Sequence, residues 1–312
     1  MRLRSRTLTV VPAFVLIALA MPSAAFGQAT RTWVEGASGD DSFPCSRTAP
    51  CKTFSGAVNK TAAGGEINII NGGGYGGMTI NKSLTVRARG GTGGVLVSGV
   101  NGIVVNAGAN DRVTLDGLDI NGIGVGAQTS LSGIKVISAG RVNIVNSEIF
   151  RFRVGVAVIP TSAATRVVLR NNHIYDNGIG VFNAPGSSTI TGTVVTAREN
   201  LINDNVCGVS SGAFGANAST PTTTDCGTAA FSAIDEPTGT RLWRNAIHDN
   251  DFGVFGRGGN STTELGHNEV TGNTSFGLRR IDSAVMRSTS PATNVFSNPN
   301  TDAPNGAVIG LG

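Results

Sequence analysis

The sequence predicts an all-β protein, a right-handed single-stranded parallel β-helix that has three strands per coil and a short N-terminal capping helix. Three observations lead to this fold class. Glycine makes up 44 of the 312 residues while charged residues make up only 14%, a composition that indicates β-structure with many turns. Apolar residues alternate with other residues along short segments, as in strands with one buried face. A motif also recurs about every 25 residues, which is typical of a solenoid.

The motif consists of an aliphatic residue followed six positions later by Gly-Val. Its copies are EIFRFRVGVA (148–157), HIYDNGIGVF (173–182), LINDNVCGVS (201–210) and AIHDNDFGVF (246–255), and EVTGNTSFGL (269–278) has one extra residue before Gly-Leu. Three short strands per coil, separated by Gly and Asn turns, account for this pattern. Each strand is expected to pair with the same strand of the next coil, about 4.8 Å along the axis.

A further column of aliphatic or small residues lies five positions before the aliphatic residue of each copy. These register residues are Leu115, Ile144, Leu169, Ala197, Leu242 and Leu265, with Val86 starting the series. Their successive spacings are 29, 29, 25, 28, 45 and 23 residues. Most intervals equal one coil. The interval of 45 is either one coil with an excursion or two degenerate coils.

Asparagine recurs at two fixed places in the coils. One column contains Asn172, Asn200, Asn245 and Asn268, and the other contains Asn177, Asn205, Asn250 and Asn273. Asn tolerates left-handed backbone and bonds its own turn, so it suits the corners between strands. Stacked Asn side chains also hydrogen-bond from coil to coil. We therefore expect Asn ladders at the corners, and the alternative is a role in binding a polar ligand.

Residues 1–27 have the layout of a signal peptide. Three Arg lie within the first six residues, and an apolar run (8–20) follows that is short for a membrane span. We expect cleavage after Gly27, with cleavage after Ala25 and an uncleaved anchor helix as the alternatives. The mature protein is then expected to be secreted or periplasmic, and no later segment is apolar enough to span a membrane.

The leader also accounts for most of the net charge. The chain has 24 Lys and Arg and 20 Asp and Glu, a net charge of +4. Residues 1–27 contain three Arg and no acid, so 21 basic and 20 acidic residues remain after cleavage, a net charge of +1. Binding to nucleic acid in general requires a basic patch or stripe. A nearly neutral mature chain therefore argues against that class of function.

Four cysteines fit an exported chain. Cys45 and Cys51 lie close together, and Cys207 and Cys226 form a second pair in sequence. An even number of Cys behind a signal peptide suggests disulfides, and four Cys allow three connectivities. The sequential pairing Cys45–Cys51 and Cys207–Cys226 is favoured because each pair is isolated in sequence. A metal site is the alternative, although no Cys-x₂-Cys pattern or nearby His supports it.

The chain divides into four parts on these grounds. They are the signal peptide (1–27), an N-terminal cap segment with a short helix and the Cys45–Cys51 disulfide (28–66), the parallel β-helix (67–282) and a C-terminal cap or tail (283–312). Residues 52–63 are expected to form the helix, because apolar residues recur there at helical spacing and Gly64-Gly65 follows as a stop. Such a helix would cover the first coil and block edge-to-edge pairing.

The N-x-I-x-x-N…G-V coils, behind PCKTFSGAV (50–58) and GGEINIINGGGYGGMTINKSLTV (64–86), resemble the right-handed parallel β-helix proteins of the pectin-lyase-like superfamily. More closely, the chain resembles secreted bacterial β-helix repeat proteins, over residues 31–300. The resemblance implies polysaccharide lyase, glycoside hydrolase or epimerase activity. The sequence patterns of polygalacturonases, of pectate lyases and of the epimerases do not occur. Gly266-His267-Asn268 and Arg279-Arg280-Ile281-Asp282 are only fragments of the polygalacturonase pattern.

One candidate site is a column of acids, each two residues after the aliphatic residue of its motif. Its members are Asp176, Asp204 and Asp249. Carboxylates stacked on neighbouring coils can bind Ca²⁺ or form a glycosidase pair. Each precedes a turn residue, which is also where Asx turns place Asp. We expect the turn role and no cofactor, with Ca²⁺ as the alternative, and His248 is the titratable neighbour.

A second candidate site is a column of arginines, each three residues before a register residue. Its members are Arg112, Arg141 and Arg166. Like charges at strand spacing repel, so they require nearby acids or an anionic ligand. Arg forks suit carboxylates, and a uronate polymer is therefore the expected ligand. The alternative is that the Arg stems pack over turns. Trp243, one of two Trp in the chain, follows a register residue and is expected to face outward.

These patterns favour an exported β-helix that binds a polysaccharide or another cell-surface component without a recognisable catalytic constellation. The alternative is a carbohydrate-active enzyme, a polysaccharide lyase or glycoside hydrolase, whose site the motifs do not reveal. The expected partner is an acidic polysaccharide or cell-surface glycan, bound by a monomer. Neither a nucleic-acid partner nor a membrane span after cleavage is expected.

Overall fold

The computed structural model describes residues 27–123, 130–186, 190–212, 226, 237–258, 260–281, 284–289 and 294–296. In this part of the chain all strands belong to three parallel sheets, which we call A, B and C and which contain ten, nine and eight strands. The chain visits the sheets in the order A, B, C in successive coils. The predicted parallel β-helix with three strands per coil is confirmed.

Sheet A contains β1 (Ala29–Val34), β2 (Thr61–Ile69), β5 (Leu84–Arg87), β8 (Arg112–Asp116), β11 (Arg141–Val145), β14 (Arg166–Arg170), β17 (Thr193–Arg198), β20 (Thr238–Trp243), β23 (Ser261–Gly266) and β26 (Val285–Ser288). Sheet B contains β3 (Gly73–Gly74), β6 (Gly93–Val97), β9 (Leu118–Gly122), β12 (Glu148–Phe150), β15 (His173–Tyr175), β18 (Leu201–Asn203), β21 (Ala246–His248), β24 (Glu269–Thr271) and β27 (Val295–Phe296). Sheet C contains β4 (Met78–Ile80), β7 (Ile103–Asn106), β10 (Ser132–Ser138), β13 (Val154–Val158), β16 (Ile179–Asn183), β19 (Cys207–Ser211), β22 (Phe252–Arg257) and β25 (Phe276–Ile281).

The register residues stack inside sheet A as predicted. The paired positions are Val86–Leu115, Leu115–Ile144, Ile144–Leu169, Leu169–Ala197, Ala197–Leu242 and Leu242–Leu265. All of them are buried in one continuous apolar core, where each large aliphatic side chain contributes roughly 1.5–3 kcal/mol. Because Ala197 pairs directly with Leu242, the interval of 45 residues is one coil with an excursion.

Both Asn columns form the predicted ladders. Asn200 donates from Nδ2 to the Leu169 carbonyl oxygen at 3.1 Å and to Oδ1 of Asn245 at 2.9 Å. The same Oδ1 accepts the backbone N–H of Asn200 at 3.1 Å. The second ladder repeats this pattern from Asn177 onward. The left-handed backbone, however, belongs to the residue before the ladder Asn, such as Asn171 with φ of 53°.

The capping helix is shorter than predicted. Helix α1 (Phe54–Lys60) begins after Thr53, whose hydroxyl accepts the Gly56 N–H at 2.9 Å. It ends before Gly64 because Thr61 already belongs to β2. The helix packs against β1, β2 and β4 and buries Phe54, so it covers the first coil as expected. No helix in the described ranges is long and apolar enough to cross a membrane.

The sheets extend on both sides of the predicted range 67–282. Strand β1 lies in the predicted cap segment and pairs with β2, while β26 and β27 lie beyond residue 282. The repeat did not reveal these strands, because the motif that ends in Gly-Val does not occur in the part of the sequence around them. Both sequential disulfides are confirmed, with Cα–Cα distances of 4.6 Å for Cys45–Cys51 and 5.7 Å for Cys207–Cys226. The predicted leader lies outside the described residues except for Gly27.

Candidate functional site: an arginine groove on sheet A

The outer faces of the three sheets differ in how open they are. On sheet C the side chains that alternate with the core form a second buried apolar cluster, in which Ala157, Phe182 and Phe255 are at most 1% exposed. Cys226, from the excursion in the long coil, belongs to the same cluster. This part of sheet C is therefore closed to a ligand. The outer faces of sheets A and B remain as candidate surfaces.

The middle of sheet A carries a groove of about 860 Å³ on its outer face. We call it the arginine groove, after the cations that line it: Arg141, Arg166, Arg170, Arg198 and Arg241. Strand alternation explains their position, because the register residues between them point inward. Smaller side chains, including Thr114, Val168 and Thr196, also line the groove. Because these side chains are short, the groove has space for a ligand that contacts several of the arginines at once.

The register brings the predicted arginine column together. Arg141 pairs with Arg112 on one side and with Arg166 on the other. The column ends at Val194, the partner of Arg166 in the next coil. Arg112 lies beside the groove and does not line it. The third outward-facing position of these strands adds a second pair of neighbours, Arg170 and Arg198.

Few acids balance these cations. Arg141 donates from Nε to Oδ1 of Asn143 at 3.0 Å, which is a neutral partner. Arg166, Arg170 and Arg198 form no ion pair within the described part of the chain. Like charges on neighbouring strands repel each other. The free energy of the groove would therefore fall if an anion entered it.

Arg241 was missed by the sequence analysis, although the sequence contains the signal for it. It directly precedes the register residue Leu242, so it occupies the middle outward position of its strand, in line with Thr196. Its Nε donates to Glu264 at 2.9 Å, and the side chains of Arg241 and Glu264 are 57% and 36% exposed. An exposed ion pair of this kind contributes at most about 1 kcal/mol, so Arg241 can exchange Glu264 for a ligand.

Trp243 faces outward, as expected, at the far end of the groove. It pairs in register with Arg198 and with Gly266. Its indole contacts the imidazole of His267 edge-on, with 4.6 Å between the ring centroids. The ring lies over Gly266, where a Cβ would come within 2.2 Å of it. The half-buried indole therefore extends the cationic surface with an aromatic one.

The acidic column stays at turns. Its members Asp176, Asp204 and Asp249 all have left-handed backbone, with φ between 52° and 56°, and all are exposed. Asp176 lies 3.4 Å from Nε of Arg151, and Asp249 accepts from Nδ1 of His248 at 2.8 Å when that nitrogen is protonated. Within the described ranges no three His, Cys, Asp or Glu side chains form a cluster that could hold a metal ion. This geometry favours the turn role.

Sheet B carries a pair of carboxylates that the sequence analysis missed. Asp119 and Glu148 are direct neighbours on β9 and β12. Burial, and secondly the charge of Glu148, raise the pKa of the Asp119 carboxyl above its usual value. Glu148 pairs in register with His173, whose imidazole stacks on Tyr175 at 4.2 Å. Each acid directly precedes the inward Ile of its strand, and that position is the signal that could have revealed the pair.

Known proteins resemble this chain in fold. A scan against protein-family models and a search of curated proteins find no match. Among solved structures, the crystal structure of pectate lyase Pel9A is similar, with a TM-score of 0.52 over 87% of this chain and 74% of that chain, at 15% sequence identity. The chain has the fold of a pectate lyase. Because one fold hosts many functions, the function of this chain depends on the side chains at its own surface.

Proposed function

We propose that the protein is an exported β-helix that binds an acidic polysaccharide in the arginine groove without cleaving it. The observation that carries this proposal is the groove itself, in which five Arg line one open face and four of them, all except Arg241, have no acidic partner in the described structure. A fold shared with a pectate lyase is compatible with a polysaccharide ligand. The Arg-rich surface narrows the ligand to an acidic one.

The chemistry of arginine supports a polyuronate as the ligand. The guanidinium presents paired N–H donors that match a carboxylate in bidentate geometry. Neighbouring strands repeat about every 4.8 Å, so successive coils present cations at regular intervals along the helix axis. A linear polymer with a carboxylate on each sugar can satisfy several of them together. A neutral glucan offers no charge to offset their mutual repulsion.

Retention on immobilised polysaccharides tests the proposal. We expect the protein to be retained by polygalacturonate and alginate in preference to neutral glucans, and to be released as salt rises, because exposed charges are screened over about 8 Å near physiological ionic strength. The substitutions Arg141→Gln, Arg166→Gln and Arg198→Gln together should abolish retention and leave the melting temperature almost unchanged.

The matched control removes the same charge elsewhere, through Arg47→Gln, Arg89→Gln and Arg153→Gln, and should retain the polymers. A groove variant that binds as well as the parent protein contradicts the proposal. Equal retention of single-stranded DNA contradicts the polysaccharide preference, because DNA supplies the same charge without the sugar carboxylates.

Export is part of the proposal. Two disulfides are typical of an oxidising compartment, and the leader has signal-peptide layout. Intact-mass analysis of the exported protein should show a chain that begins near Gln28 and has no free thiol. A mature chain that retains residues 1–27, or one that is alkylated without reduction, contradicts this expectation.

The second candidate function is glycoside cleavage, and the carboxylate pair on sheet B favours it. Two carboxylates at about strand spacing suit the arrangement of a retaining glycosidase, in which one acid must hold a proton. The raised pKa of Asp119 fits the proton donor and Glu148 fits the nucleophile. An assay of reducing ends and unsaturated products across a polysaccharide panel tests it. Product that disappears with Asp119→Asn and with Glu148→Gln, but survives loss of the groove arginines, would establish the enzyme.

A further inference from the structure

A second pocket, of about 470 Å³, lies at the N-terminal cap. It is bordered by β1, the disulfide loop and the end of α1, and its principal side chains are Arg31, Trp33, Phe43, Pro44, Asn59 and Lys60. Small-molecule sites are usually concave, mostly apolar and furnished with a few polar groups, at volumes of roughly 300–1,000 Å³. The cap pocket meets this description better than the arginine groove, which is more open and more polar.

The aromatic wall of the cap pocket is held in place by the backbone. The N–H of Trp33 donates to the Cys45 carbonyl oxygen at 2.8 Å, and the Trp33 carbonyl oxygen accepts the Cys51 N–H at 3.0 Å. The disulfide loop is thereby fixed against β1. Phe43 on this loop is 39% exposed, and it lines the pocket beside Trp33. Trp33 and Phe43 together form a preformed apolar wall.

The polar part of the pocket is cationic. Arg31 is largely exposed and lies 3.6 Å from Glu66, while Nζ of Lys60 donates to the backbone carbonyl oxygens of Asp41 and Phe43. No Asp or Glu is among the residues that line the pocket in the described chain. A ligand that fits this lining has a flat apolar face and carries a negative charge. A neutral ligand would use the aromatic wall but would bring no charge to either cation.

The cap pocket opens on the same outer face as the arginine groove. Trp33 pairs with Asn68, and the same column continues through Arg87, Asp116 and Val145 to Arg170. Five strand steps of about 4.8 Å separate Trp33 from Arg170, a distance of roughly 24 Å. The pocket therefore lies near the groove along one axis, yet it does not share a residue with it.

We propose that the cap pocket is a separate site for one carboxylate-bearing sugar ring, which stacks on Trp33 and directs its carboxylate to Arg31 and Lys60. The choice of an acidic sugar as the ligand rests on the function proposed for the groove. The existence of the pocket does not depend on that function. Tyr and Trp surfaces suit such ligands because their rings are apolar on the face and polar at the edge. The pocket accordingly accepts short oligouronates, whereas the groove requires several consecutive carboxylates.

The two tryptophans of the chain, Trp33 and Trp243, provide a direct readout. In the full-length protein, Trp243→Phe leaves Trp33 as the only tryptophan. Titration of this variant with trigalacturonate should change the emission of Trp33 and saturate, while cellotriose at the same concentrations should not. Arg31→Gln in the same background should weaken the response about two- to fivefold, as expected for an exposed charge pair. The groove triple variant in this background should respond like the parent.

Each other outcome overturns the inference or its ligand class. An unchanged Trp33 emission overturns the site, even if the groove retains polymers. An equal response to cellotriose overturns the acidic ligand. A response that vanishes in the groove triple variant shows that the ligand reaches Trp33 only from the groove, which also overturns a separate site. Failure of the groove proposal is distinguishable, because it appears as polymer retention that survives the groove triple variant.

Discussion

Two regions along sheet A both contain arginines and differ in their acids. At the N-terminal end, Arg87 contacts Glu66 at 2.6 Å, and Arg87 and Arg89 both reach Asp116. In the central strands, Arg166 and Arg170 have no such acid in the described structure. The first region is an internally neutralised network that ties coils together. The second keeps its charge, and the comparison teaches that a strand position alone does not decide whether an arginine stabilises the fold or binds a ligand.

The largest expected effect is on the unfolding free energy, and it tests which residues of sheet A face inward and which face outward. Leu169→Asp places an unpaired carboxylate in the apolar core and should cost roughly 3–5 kcal/mol of unfolding free energy. Val168→Asp, one residue away, faces the arginine groove and should cost little or be slightly stabilising. Thermal or urea melts of both variants measure the difference. Two equally damaging substitutions would show that the assignment of inner and outer faces is wrong.

The next effect concerns the neutralised region. Asp116 is only 6% exposed, and it also accepts from Nδ2 of Asn146 at 2.8 Å. Asp116→Asn removes the charge that holds Arg87 and Arg89, so it should lower the unfolding free energy by about 1–3 kcal/mol. Glu264→Gln is the matched control, because its pair with Arg241 is exposed and should cost at most about 1 kcal/mol. If the two substitutions cost the same, the N-terminal network has no special structural role.

A smaller effect follows from making the central region resemble the N-terminal one. Val168→Asp introduces an acid between Arg166 and Arg170, and it should weaken binding of polygalacturonate about tenfold, since a like charge then faces the ligand. Val168→Asn has nearly the same shape without the charge and should bind like the parent. Binding isotherms at low salt measure both. Equal affinities for the Asp and Asn variants would show that net charge does not control binding in the groove.

The smallest expected effect concerns two neighbouring acids on sheet B, Asp119 and Glu148, instead of neighbouring arginines on sheet A. The folded-state pKa of Asp119 is raised by burial and by Glu148, so the fold favours its protonated form and its ionisation at neutral pH costs stability. Asp119→Asn should therefore gain about a few tenths of a kcal/mol at pH 7. The gain should vanish below the unfolded-state pKa of about 3.9. Melts at pH 7 and pH 3 check the sign, and an equal gain at both would contradict it.

The repeat made much of the fold predictable. Leu115, Ile144 and Leu169 recur at matching places, so their pairing followed from the alignment of the coils. The cap was harder, because Thr61 has no repeat to mark it and joins β2 through contacts distant in sequence. The closed face of sheet C could not be foreseen, since Phe182 and Cys226 lie far apart in the chain and meet only in the folded structure.

The candidate site was only partly predictable for a related reason. The alignment placed Arg141 beside Arg166, and the structure confirms that register. Whether an arginine has an acidic partner depends on neighbours from other coils, and Glu66 and Asp116 lie at unrelated places in the repeat. The cap pocket depends on Trp33, which stands outside the repeat. Its Cys45–Cys51 loop could be predicted as a disulfide, while its packing against β1 could not.

The Asn ladders also determine where this architecture tolerates added chain. In the coils that begin with β14, β17 and β20 they keep two corners at a constant length, with two residues between the strands of sheets A and B and three between those of sheets B and C. The coil that begins with β23 has four residues at the second corner. The third corner, from sheet C back to sheet A, has no Asn ladder in the described coils, and its length varies there from residues 139–140 to residues 159–165. A foreign peptide grafted at this corner, for example within residues 159–165, would leave both ladders and the register of every strand intact. Insertions at this corner of successive coils would therefore lie in one row along the helix axis.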